Sequence, residues 1–137
     1  MPRKRTPVIV IHNLAHARAA AAAAVASGVP VRLRSAPGAA RYAGAGWFAA
    51  VIAIVRAEFP SARIEGSLDC AGDAGYALAG LRAGIGLVRF TGPRAVARKL
   101  AAIAKQHGGA LDDAPLTVDL LDETDPDARV RAALTRR

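Results

Sequence analysis

Four clusters of polar or reactive residues stand where short β-branched runs end: His12-Asn13, Ser35-Ala-Pro-Gly38, Asp69-Cys70 and Thr91-Gly92-Pro93. An imidazole, a carboxylate and a thiol brought to one place suit acid–base or nucleophilic work, so Asp69, Cys70 and His12 are the catalytic candidates. A Ser-x-Pro-Gly turn opening a helix offers free amides and the positive end of the helix dipole, which favour phosphate or carboxylate. Ser35, Gly38, Asn13, Thr91 and Gly92 are therefore the candidate ligand-binding residues. Whether the chain catalyses anything is left open by these residues.

Several sharper assignments fail on context. Gly44-Ala-Gly46-Trp-Phe-Ala49 fits the letters of a dinucleotide fingerprint, but it lies well beyond its strand and not in the tight turn where amides meet a pyrophosphate. Asp69 and Thr91 stand where response-regulator receivers carry a phosphoacceptor and a signalling threonine. Receivers also need an acidic pair after the first strand and a lysine after the fifth, and here those places hold His12-Asn13 and Asp119 with Asp122. Cys70 is the single cysteine, which excludes an internal disulfide and any paired-cysteine metal or redox motif. His12, His16 and Asp69 form no zinc-type spacing, so neither a metal nor another cofactor is expected.

The elements that position these clusters follow from apolar periodicity. Strands are expected at Pro7 to Ile11, Val29 to Arg34, Ala62 to Leu68, Ile85 to Phe90 and about Leu116 to Leu121, with helices over Leu14 to Ser27 and Ala39 to Glu58, a short helix that follows a loop holding Asp73 and closes at Gly84, and a helix from Pro93 to Gln106. A last helix opens at Asp125-Pro126. The first strand is apolar on both faces, whereas the second alternates and carries Pro30, as an edge strand would. This rhythm predicts a single-domain α/β fold over residues 1–137: a three-layer parallel sheet of five strands in the flavodoxin-like order 2-1-3-4-5. Residues 1–6 and 132–137 read as flexible basic ends. One strand disagrees with that order. Arg63, Glu65, Ser67 and Asp69 share one face of strand three, which a central strand covered on both sides should not allow. The alternative is a half-TIM-barrel-like (βα) array with helices on one face and a polar inner surface.

The net charge is +8, and seven of the 11 acids lie between Asp112 and Asp127, so the rest of the chain is strongly basic and would draw anions. Nucleic acid is not expected as a partner, since no recognition motif is present and aromatic residues make up 4% of the chain. The longest uncharged stretch, Tyr42 to Val55, has 14 residues against the roughly 20 needed to span a bilayer, so no membrane role is expected. The location expected is cytoplasmic. That same stretch is apolar all round its helix, and Trp47, Phe48 and Ile52 are the expected contacts of a homodimer.

The pattern S-A-P-G-A-x-x-Y-x-G-x-G-W at Ser35 to Trp47, with L-D-C-x-x-D-x-G at Leu68 to Gly75, resembles a small bacterial one-domain family with no assigned activity. The resemblance covers nearly the whole chain and carries no catalytic residue across. The reading that follows is a dimeric α/β domain binding a small anionic ligand at the carboxyl edge of its sheet. An enzyme using Asp69 or Cys70 and a structural or protein-interaction module without a ligand are the alternatives.

Overall fold

The computed structural model describes residues 5–135, which form six helices and six strands. Strand β1 (Val8–Ile11) leads through Asn13, whose side chain accepts the His16 amide, into α1 (Leu14–Ser27). Next come β2 (Val31–Ser35), a short α2 (Ala39–Tyr42) and α3 (Ala45–Glu58). The helix expected from Ala39 to Glu58 is broken at Gly44, whose φ of 89° is open to glycine and closed to most other residues. After β3 (Ile64–Asp69), Asp73 caps α4 (Ala74–Arg82); β4 (Leu87–Arg89) and α5 (Arg94–Gln106) follow. Two short strands, β5 (Ala110–Leu111) and β6 (Val118–Asp119), precede α6 (Pro126–Thr135).

All strands pair in parallel in the order β5-β4-β3-β2-β1-β6. The expected order 2-1-3-4-5 is thus wrong, as is the count of five strands. Five successive strands advance in one direction across the sheet, and right-handed crossovers then put their helices on a single face. This is the sequential arrangement of a (β/α) barrel segment, and the polar alternation of β3 is its mark in the sequence. The alternation of β2 has the same origin: Arg32 and Arg34 face away from the helices, and Pro30 precedes the strand.

The helix side is apolar. Ile9, Ile11, Val31, Leu33, Leu68 and Val88 are sealed beneath the helices. Alanines 17, 20, 21 and 24 let α1 pack closely between α6 and α3. Gly66 lets α3 approach β3, since a Cβ there would lie 3.0 Å from Ile52 Cγ1. Residues 132–135, expected in a flexible basic end, belong to α6, where Leu134 is buried. Of the expected basic ends, residues 1–4 and 136–137 lie outside the described residues.

Candidate functional site

The inner face, opposite the helices, carries the charge. Strand register places Arg32 beside Glu65 and Arg34 beside Ser67, while Asp69 stands beside Arg89. The segment leaving β5 folds back over this face and lowers the Asp112 carboxylate into it. Oδ1 accepts from Arg32 Nη1 (2.7 Å) and the Ala114 amide (3.1 Å); Oδ2 accepts from Arg34 Nε (3.0 Å), Arg34 Nη2 (2.8 Å) and Ser67 Oγ (2.6 Å). Arg34 Nη2 also donates to the Ala114 carbonyl (2.7 Å), and Arg89 Nη1 donates to the Asp112 carbonyl (3.3 Å). Burial alone would raise the Asp112 pKa. The hydrogen bonds from Ser67, Arg34 and the Ala114 amide, with the Arg34 charge, outweigh it and hold the carboxyl below its usual value. Asp112 thus meets five donors, while Arg32 Nε is buried with no hydrogen-bond partner among the described residues.

At the carboxyl rim the arrangement is more open. His12 lies two residues beyond Val10, Asp69 two beyond Ser67 and Arg89 two beyond Leu87, so the three share one face and one level. With strands about 4.8 Å apart, His12 and Asp69 lie roughly 10 Å from each other along the sheet. His12 Nε2 meets Asp119 Oδ1 at 2.7 Å. A carboxylate only accepts, so Nε2 carries the proton and Nδ1 is the acceptor of neutral His12. The His12 backbone amide donates to His16 Nδ1 (3.1 Å), and the two rings meet edge to face at 5.7 Å. Burial first, then the neighbouring His12, lowers the His16 pKa against the opposing pull of Asp119. Arg89 is partly exposed beside Asp69, with Nε 3.7 Å from Oδ2.

Several expected site residues are spent on the turn itself. The Gly38 amide (3.0 Å) and the Ala71 amide (2.9 Å) both donate to Asp69 Oδ1, and the Asp69 amide donates to the sealed Ser35 Oγ (2.8 Å). Asp69 is therefore the anion that the Pro-Gly turn holds, and Ser35 and Gly38 are not free to bind another. Asn13 is occupied as a helix cap, and the Thr91 amide donates to the Ala71 carbonyl (2.7 Å). Thr91 and Gly92 remain at the rim, with the Thr91 side chain exposed.

Cys70 points to the helix side and is buried; burial, then the Asp69 and Asp73 charges, push its thiol up to about 12. Cys70 is therefore held as the thiol at neutral pH, and β2 separates it from His12. Phe48 and Ile52, expected at a dimer contact, are sealed against β3, whereas Trp47 is 37% exposed.

Asp119, Arg89 and Asp112 were missed as partners of these residues. Their signal was present: a carboxylate, Asp112, follows a basic-rich polar face that needs one. No group of three or more histidine, cysteine or acidic residues that could hold a metal occurs among the described residues. Likewise, no described helix is long and apolar enough to cross a membrane.

No protein-family model matches the chain, and no curated protein matches it. Among solved structures the chain is similar to one described as a "putative fructose-1,6-biphosphate aldolase" from Coccidioides immitis, with a TM-score of 0.66 and 18% identity. The match covers 94% of this chain and 51% of that one, so the chain spans about half the length of the structure it matches. At this identity the likeness is one of fold.

Proposed function

We propose that the protein binds a small anionic metabolite at the carboxyl rim of its inner face, in the cytoplasm, as a homodimer. In this reading Arg89 holds the anion, and His12, oriented by Asp119, hydrogen-bonds or exchanges a proton with it. The observation that carries the reading is the alignment of the His12–Asp119 pair and Arg89 on one face at one level. Ligands of sequential (β/α) arrays sit at this end of the strands, where residues of several strands converge. The positive net charge supports an anion in the same way. The Coccidioides protein assigns no substrate here.

Self-association rests on the exposed outer side of α3, where Trp47 and Ile54 lie one above the other two turns apart. A thermal-shift screen with inorganic phosphate, three-carbon phosphates and small dicarboxylates tests the ligand. Binding at a concentration one hundred times Kd stabilises the fold by about 2.7 kcal/mol. Loss of that shift in both Arg89→Ala and His12→Ala is the expected result. A shift that survives both substitutions contradicts the reading.

A further inference from the structure

We propose that a groove between α3 and α4, on the helix side and near the amino ends of the strands, binds a small monocarboxylic acid with a compact apolar body. A cavity of about 170 Å³ opens there, with Ile52 and Ala53 of α3 on one wall and Ile85 and Gly86 on the other. Gly66, Gly86 and Arg56 also line an adjoining cavity of about 300 Å³. Arg56 stands at their junction. Its Nη2 donates to the Ile64 carbonyl at 2.7 Å, which fixes the guanidinium in place. Nε and Nη1 have no protein partner among the described residues, and no ion pair joins Arg56 to a carboxylate. Glu65, the acid lining the second cavity, pairs with Arg32 instead (3.4 Å).

A tethered guanidinium with a free edge suits a carboxylate, and the aliphatic wall beside it suits the body that carries the carboxylate. The aliphatic wall offers no further donors, which favours a ligand with one carboxylate and an apolar body over a phosphate. Gly86 is what leaves the groove open. A Cβ built on it meets no atom within 4 Å and its φ is not positive, so a larger side chain there enters the cavity without strain.

The test is an amide-resolved NMR titration of the protein with isovalerate, alongside isovaleramide and inorganic phosphate. Isovalerate is expected to shift the amides of Ile52, Gly66 and Gly86. Arg56→Met should weaken it about tenfold or more, as loss of a charge-assisted pair does. Gly86→Val should abolish binding at an unchanged melting temperature; if that variant does not fold, Ala53→Leu blocks the same space. Equal binding of isovaleramide or phosphate, unchanged affinity in Arg56→Met, or no shift at the groove overturns the proposal. Amides at His12, Asp119 and Arg89 report the carboxyl rim in the same spectra, so failure of one site is distinguished from failure of the other.

Discussion

Ser67 and Leu68 are neighbours on β3, yet they serve opposite interiors. Leu68 is sealed among the apolar side chains beneath the helices, and Ser67 donates to a buried carboxylate on the other face. The helix side is held by shape, with small residues at close approaches. The inner face is held by charge, with two guanidiniums and a hydroxyl meeting Asp112. Only the inner face carries its polar side chains on to the carboxyl rim. Apolar packing ends at the helix starts, whereas the polar face continues past the strand ends into His12, Asp69 and Arg89.

The largest effect is expected where charge is left unpaired. Asp112→Ala should cost about 3–5 kcal/mol, because Arg34 stays buried without its partner. Leu68→Ala, one residue from Ser67 on the other side, should cost about 2–5 kcal/mol as a cavity. Urea unfolding measures both. A cost below about 1 kcal/mol for Asp112→Ala would mean that solvent reaches the inner face and the contrast fails.

Acid sharpens the same contrast. Folding lowers the Asp112 pKa, so its stabilisation is full above the unfolded value of about 3.9 and is lost as pH falls through the lower folded value. Folding also lowers the His16 pKa, so stability declines earlier, as pH drops below about 6.5 toward that group's folded value. Melting temperature against pH should show two declines, and His16→Gln should remove the upper one. An unchanged slope above pH 5 in that variant breaks the assignment.

The smallest effect on the fold is expected at Trp47. Trp47→Asp should leave the melting temperature nearly unchanged and convert a dimer to a monomer in light scattering. A wild-type monomer at micromolar concentration removes the dimer from the account.

The positions of the helices were legible in the sequence because local spacing determines them, apart from the break at Gly44 inside the helix expected over Ala39 to Glu58. Helix α1 has the bounds that periodicity gave, Leu14 to Ser27. Strand order was not legible, because an edge strand and a strand with one polar inner face alternate alike. Arg32 and Arg34 fit both readings until Asp112, 78 residues beyond Arg34, is seen between them. Strand β5, two residues long, was too short for any period, and the expected fifth strand is β6. At the site, the clustering of His12 and Asp69 at strand ends was legible. That the Gly38 amide was already taken was not, since its partner Asp69 lies 31 residues away.

The most direct measurement of the central claim is an amide-resolved NMR titration with inorganic phosphate. The account expects the largest shifts at His12, Asp119 and Arg89, and their loss in Arg89→Ala with the remaining spectrum intact. Shifts that cluster elsewhere, or that persist in Arg89→Ala, contradict it.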